Sequence, residues 1–488
     1  MDDKPGSIDF QPLFYPKTYA VIGASTKSVG VRKYVVAHLN TGIKVFPVNK
    51  NPSLTELEGL PVYRSVLDIE EDIDFAVIGV PKQFVPEVMD DCDKKGVKFA
   101  VLFTSGFKES GNDDLDKIVQ EKVQNSKITR YIGPNCLGVF HPRGKLSYWK
   151  GKMATENDAG NVSFIGQSGG HTGKTIGMLL SRGIKLSKVI SIGNSIDLQP
   201  QDFLRYFQVD KYTSVVGLYL ESTSDGKELM NALKDITPVK PVVLWKGGQG
   251  EVGFKATASH TGELAGEYKI WKAMCKQTGT ILADDYSTLL NLLTMFSCGI
   301  PLPKSLNVAI LASGGGACVE LADVFEGGGF KIPELSDEVK QKIGEFIPDV
   351  NSSFRNPVDL GEYGYNPRYY IKALEILVRY AKNVDCIVHV RETTRLKNFA
   401  ANFNLTPEEY EDFMIQGIFN IEQINKKGRN IPILFQEHMV SESIEGFQSH
   451  VSFREKLIPY GIPAFMNEIA LMKAIKKMQE YRQYLEKI

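Results

Sequence analysis

Cysteine is scarce and scattered. The six residues Cys92, Cys136, Cys275, Cys298, Cys318 and Cys386 stand singly, without a C-x-x-C pair or a histidine group at zinc-ligand spacing. That distribution argues against a disulfide framework or a metal centre and fits reduced thiols, so no metal site is expected. Charge of one sign is also lacking: the formal net charge is −1, which gives no footing for nucleic acid or an acidic membrane surface. No apolar run approaches the roughly 20 residues of a membrane-spanning helix. The opening residues MDDKPGSIDFQP have neither the basic region nor the apolar stretch of a secretory signal. A soluble, cytoplasmic protein is expected, with no nucleic-acid and no membrane partner.

At 488 residues the chain exceeds one ordinary domain. Short runs rich in β-branched residues alternate with Gly-rich turns and amphipathic stretches, the pattern of βαβ units around parallel sheets. Residues 19–23 (YAVIG), 44–48 (KVFPV), 75–80 (FAVIGV) and 99–103 (FAVLF) make a first cycle, closing near 132–139 (IGPNCLGV). Residues 161–166, 189–192, 215–220 and 242–245 make a second, and 307–312, 386–390 and 431–435 a third. Polar or Pro-rich linkers fall at 150–160 and 299–304. The expected fold is α/β with three domains over 1–150, 151–300 and 301–488.

Three strand–glycine–helix turns are the places where such domains offer backbone N–H groups and a positive helix end to a phosphate. The first, Gly23-Ala24-Ser25 through Gly30, departs from G-x-G-x-x-G. The second strand ends Pro47-Val48-Asn49-Lys50, not in the acid that holds the ribose of a nicotinamide dinucleotide. An amide and a cation suit a phosphorylated ribose, which favours coenzyme A over NAD and argues against a dehydrogenase. The plain alternative is a turn that binds nothing.

The second turn, Gln167-Ser168-Gly169-Gly170-His171-Thr172-Gly173-Lys174-Thr175, nearly matches a P-loop, but Ser168 stands where the leading glycine belongs. A P-loop NTPase therefore stays an alternative. The third is Ser313-Gly314-Gly315-Gly316. Taken alone, close helix–strand packing is the better explanation of either of these two turns.

The stretch 246–248 (KGG) followed by 256–266 (ATASHTGELAG) places His260 among small residues with no apolar periodicity to bury it. A neutral imidazole is a competent nucleophile near pH 7, and small neighbours let phosphoryl oxygens approach the backbone. Such a histidine needs a carboxylate on one ring N–H; Glu221, closing the run VVGLYLE, is the candidate.

KGG with ASHTGELAG resembles the phosphohistidine loop of the NDP-forming acyl-CoA synthetases, relatives of succinyl-CoA synthetase. The GAS turn with Gly30, PVNK, SGFKESG and IGPNCLGV resemble the family's CoA-binding domain. NVSFIGQSGG and LYLES resemble its second domain, and NVAILASGGGACVELAD with NPVDL at 356–360 its third. The resemblance spans nearly the whole chain. It implies an N-terminal Rossmann-like CoA-binding domain followed by two flavodoxin-like domains. It implies that His260 is transiently phosphorylated and oriented by Glu221. Ser168, Gly169 and Gly170 would line one phosphate-holding helix end, and Gly314 and Gly315 another. Gly23, Ser25, Gly30, Asn49 and Lys50 would face CoA, with Ser105, Gly106 and Asn135 near its reactive end.

The implied reaction is acyl-CoA + ADP + phosphate ⇌ carboxylic acid + CoA + ATP. The family's nucleotide step uses an ATP-grasp unit with Mg²⁺, for which no further segment of domain size remains here. The resemblance therefore implies a separate ATP-grasp beta subunit carrying ATP/ADP and Mg²⁺, in a hetero-oligomer such as α2β2. The acid is left open, and a non-catalytic CoA-binding regulatory protein is the competing reading. One departure stands out: after QSG the family commonly continues apolar, whereas this chain has Gly170-His171-Thr172-Gly173-Lys174.

Overall fold

The computed structural model describes residues 8–148, 155–255, 267–392, 396–438 and 443–488. The chain forms two compact units, residues 1–283 and 284–488.

The first unit holds two sheets. A short helix α1 (Gln11–Phe14) precedes β1 (Thr18–Ile22), followed by α2 (Val29–His38) and β2 (Lys44–Val48). A small antiparallel pair, β3 (Glu56–Leu57) with β4 (Leu60–Pro61), interrupts the alternation. Then come β5 (Phe75–Ile78), α3 (Val85–Lys95), β6 (Phe99–Leu102), α4 (Asp113–Asn125) and β7 (Arg130–Ile132). The sheet order is β2-β1-β5-β6-β7, all parallel. Every residue of β5 and β6 is buried, because helices cover both faces of a parallel sheet and leave no polar side. Pro47, which lacks an N–H for the ladder, sits in β2 at the sheet edge, where its carbonyl accepts the N–H of Tyr63 at 3.0 Å.

The second sheet is built from β8 (Gly138–Phe140), β9 (Ala159–Gly166), α5 (Gly169–Ser181), β10 (Leu186–Ser191), α6 (Pro200–Val209), β11 (Val215–Leu220), α7 (Gly226–Ile236), β12 (Val242–Lys246) and β13 (Ile281–Leu282). Its order is β13-β12-β11-β9-β10-β8, and β8 alone runs antiparallel, against β10. The segment 132–139 therefore passes directly from one sheet into the next.

The second unit carries β14 (Val308–Ala312), β15 (Val358–Asp359), β16 (Cys386–Arg391), β17 (Ile433–Glu437) and β18 (Ala464–Phe465), in the parallel order β15-β14-β16-β17-β18. Numbered within each sheet, the parallel strands share one order, 2-1-3-4-5. This is the doubly wound arrangement whose ligand crevice opens at the carboxyl ends of strands 1 and 3. Among the described residues, no helix is long and apolar enough to cross a membrane.

Candidate functional site

In the first sheet, strands 1 and 3 are β1 and β5. Gly23 ends β1 with φ +93°, and a Cβ there would lie 2.6 Å from the Gly79 carbonyl oxygen. Only glycine allows that turn, which brings backbone to the mouth of the crevice. Ser25 Oγ accepts the Ser28 N–H at 3.1 Å, shaping the entry to α2. Asn49 spends its amide on the same turn: Nδ2 donates to the Ala24 carbonyl at 2.8 Å, and Oδ1 accepts the Asn51 N–H at 2.9 Å. Lys50 Nζ pairs with Glu87 at 2.7 Å, both side chains being more than half exposed. The guanidinium of Arg64 donates to the carbonyls of Asn49, Pro52 and Leu54 at 3.2, 3.1 and 3.0 Å, and to that of Asn51. It thereby braces the loop that carries Lys50.

These groups border a cavity of about 1200 Å³. Gly23, Ser25, Asn49, Lys50, Ser105 and Asn135 line it, as do the cations Arg64 and Lys82. Gly30 and Gly106 stand outside the lining; a Cβ on Gly30 would press on the Phe103 ring at 3.3 Å, so the glycine lets α2 pack closely there. A deep crevice with a backbone cradle and several cations fits a long, phosphorylated ligand such as CoA.

The far wall of the same cavity comes from the second sheet: Gln167, Ser168, Gly169, Gly170 and Gly173. Ser168 caps α5, its Oγ accepting the His171 N–H. Gly173, Lys174 and Thr175 lie inside that helix, and the Thr175 hydroxyl donates back to the His171 carbonyl at 2.8 Å. A P-loop needs the four residues before that glycine as an open phosphate cradle, but residues 169–172 are already helical, so the P-loop geometry is absent. What remains at this wall is a helix N-terminus with glycines in its first turn, a setting that favours an anion.

Glu221 follows β11, which is strand 3 of this sheet, and is 8% exposed. Gln167, following strand 1, holds it: Gln167 Oε1 accepts the N–H of Glu221 at 2.6 Å and of Ser222 at 3.0 Å. The Tyr219 hydroxyl donates to Glu221 Oε1 at 2.9 Å. Lys246, 1% exposed, ends β12 beside this group. Burial pushes its pKa down to about 8, against the pull of Glu221. The His171 ring lies against Tyr219 and Trp245, with centroids 4.7 and 5.2 Å apart. Burial and then Lys174 lower its pKa, while Glu221 raises it. His260 lies outside the described residues.

In the second unit, Gly314 (φ +115°) caps the helix Gly315–Gly327. Asp359 Oδ1 accepts the N–H of Gly314 at 2.7 Å and of Gly361 at 2.8 Å, so a carboxylate of the chain itself faces this helix end. Gln167, Arg64, Tyr219 and Lys246 were not singled out from the sequence. Gln167, Tyr219 and Lys246 lie inside quoted motifs, but the partners of Gln167, Ser222 and Glu221, are more than fifty residues away.

Residues 17–142 match the family model described as a CoA binding domain, and residues 159–296 that of a succinyl-CoA ligase like flavodoxin domain. The alpha subunit of acetate–CoA ligase [ADP-forming] II of Pyrococcus furiosus is 33% identical over 93% of this chain and 93% of its own. The acetate–CoA ligase [ADP-forming] I of Archaeoglobus fulgidus is 33% identical over 96% of this chain, which spans 63% of that longer protein. The dinucleotide forming acetyl-coenzyme A synthetase 1 of Ca. Korarchaeum cryptofilum, solved in complex with phosphate and ADP, superposes with a TM-score of 0.80 at 28% identity over 98% of each chain. The crevice, the capped glycine helix and the full-length match to an alpha subunit converge: the chain belongs to the ADP-forming acyl-CoA synthetase family of acid–thiol ligases.

Proposed function

We propose that this chain is the CoA-binding, phosphohistidine-bearing subunit of an enzyme interconverting acyl-CoA, ADP and phosphate with a carboxylic acid, CoA and ATP. One observation carries the reading: a single cavity runs from the Gly23 turn to the N-terminus of α5, joining a place for CoA to a place for a phosphoryl group. CoA binds with its phosphorylated end toward Asn49, Lys50 and Arg64 and its thiol end toward Ser105 and Asn135. Phosphate, held at the N–H groups of Ser168, Gly169 and Gly170, attacks the thioester carbonyl. The C–S bond breaks, releasing CoA and leaving an acyl phosphate.

His260 then attacks the phosphorus through a ring nitrogen, and the carboxylate leaves. Glu221 holds the other ring N–H and stabilises the charge that develops on the imidazole. The α5 helix end stabilises the phosphoryl oxygens as they rearrange, since charge placement dominates phosphoryl transfer. ADP and Mg²⁺ belong to an ATP-grasp beta subunit, which receives the phosphoryl group; the assembly is a hetero-oligomer, α2β2 being the simplest symmetric form. The substrate is a small carboxylic acid or its CoA thioester.

Reconstitution tests this. The chain alone is expected to bind CoA without making ATP. Adding an ATP-grasp subunit from a family member should start ATP formation from acetyl-CoA, ADP and phosphate. ATP formation by the chain alone, or no CoA binding, contradicts the proposal.

A further inference from the structure

The loop after β6 holds its shape through one carboxylate. Glu109 Oε1 accepts the N–H of Gly106 at 2.6 Å and of Phe107 at 3.3 Å, while Oε2 accepts the side-chain amide of Asn194 at 2.7 Å. Gly106 lies at φ +103°, and Phe107 is fully buried, so the loop is pinned on both sides of the carboxylate's grip. Asn112 adds a latch, its Nδ2 donating to the Gly106 carbonyl at 2.8 Å.

Asn194 belongs to the second sheet's connection after β10. Its backbone N–H donates to the Pro134 carbonyl at 2.9 Å, and the N–H of the next residue, Asn135, donates to the Thr104 carbonyl at 3.0 Å. Glu109 thus closes a ring of contacts through segments 104–107, 134–135 and 194. Thr104, Ser105 and Asn135 line the cavity, whereas Glu109 and Asn194 do not.

We infer that Glu109 is a positioning residue for the thiol end of CoA, fixing Ser105 and Asn135 at a set spacing across the boundary between the first two sheets. The inference rests on the proposed function. Half-buried, the carboxylate is opposed by burial, but the Gly106 N–H and the Asn194 amide outweigh it and hold its pKa below the usual range. It is ionised at neutral pH and holds its bonds as charge-assisted ones. These bonds tie backbone N–H groups of the loop and leave the Phe107 ring in its core packing, so their loss moves the cavity wall more than it loosens the fold.

The test is calorimetric titration of CoA into the full-length chain. In Glu109→Gln the amide oxygen still accepts from Gly106, but whichever way the two amides turn the bond to Asn194 is no longer charge-assisted. CoA affinity is expected to fall about tenfold, as losing a charge-assisted hydrogen bond does. Adding Asn194→Asp supplies an acceptor for the new amide and is expected to restore affinity to within about threefold of wild type, the cross-sheet bond being remade with reversed polarity. Asn194→Ala, which leaves Glu109 in place, should weaken CoA in the same sense and serves if Glu109→Gln fails to fold. Phosphorylation of the chain by ATP and partner needs no CoA and should be unchanged in each variant.

Wild-type affinity in Glu109→Gln, no recovery in the double variant, or an equal loss of phosphorylation overturns the inference. Absence of CoA binding by the wild type overturns the proposed function itself, and the two failures are read from different samples.

Discussion

Gly247, immediately after β12, leaves a space that two functional groups fill. A Cβ there would meet the Tyr219 hydroxyl at 2.7 Å and Glu221 Cγ at 3.1 Å, distances at which a side chain must shift. Both neighbours belong to the hydrogen-bonded group at the end of β11, so the shift, greatest at the Tyr219 hydroxyl, disturbs the bond that holds the carboxylate. Gly247→Ala is expected to change the melting temperature little, because Gly247 follows β12 and lies outside its ladder, yet to slow phosphorylation of the chain at least tenfold, on the scale of misplacing a group that must be aligned. Rapid-quench measurement of phosphorylation checks this; an unchanged rate shows that Glu221 is not needed where it stands. The KGG string marks this glycine in the sequence. The reason for it, a tyrosine hydroxyl twenty-eight positions back, is visible only in the fold.

Elements explain where the sequence could and could not be read. Continuous apolar strands such as Val215–Leu220 and Val308–Ala312 announce themselves, because a parallel strand buried on both faces has no polar alternation to dilute it. The two-residue strands Ile281–Leu282 and Ala464–Phe465 carry too little pattern to be seen. Gly138–Phe140 is hidden differently: its pairing with β10 lies some fifty residues ahead. Two helices carry tests.

At the end of α6, Asp210 Oδ2 accepts from Lys188 Nζ at 2.7 Å and from Thr213 Oγ1 at 2.6 Å, with the lysine fully buried. Asp210→Asn strands that cation and is expected to cost about 3–5 kcal/mol in denaturant unfolding; a loss below about 1 kcal/mol refutes the burial argument. In the helix Pro407–Lys427, burial pushes Glu422 up to about 7, against Lys426 and Asn425. Between an unfolded-state value of about 4.3 and that folded value, the folded chain keeps a proton the unfolded chain has released. Stability from this group is therefore full below that window and lost as pH rises through it. Glu422→Gln should show no such decline, becoming more stable than wild type by about 1–3 kcal/mol at pH 8 and by less at pH 5. Parallel stability curves for the two proteins contradict the assignment.

Across the molecule, three sheets repeat the order 2-1-3-4-5, and the glycine turns singled out from sequence follow the first strand of each. That coincidence made much of the site legible: a strand followed by glycines and a helix is a local signal, and the fold places it at a crevice. The near-match at Lys174 shows the limit of that signal, since a local string cannot say that the four residues before its glycine are already helical. Gln167, Arg64 and Glu109 act through backbone groups brought near only by folding.

The central claim is that one imidazole passes a phosphoryl group between CoA chemistry and a nucleotide on another subunit. Its most direct measurement is incubation of the chain with an ATP-grasp partner, Mg²⁺ and ATP labelled in the γ-phosphate, followed by peptide mapping. Acid-labile, base-stable label on His260, discharged by adding CoA with a carboxylic acid and missing from His260→Asn, is the expected result. Label that persists in that variant, or that CoA and acid fail to discharge, contradicts the account.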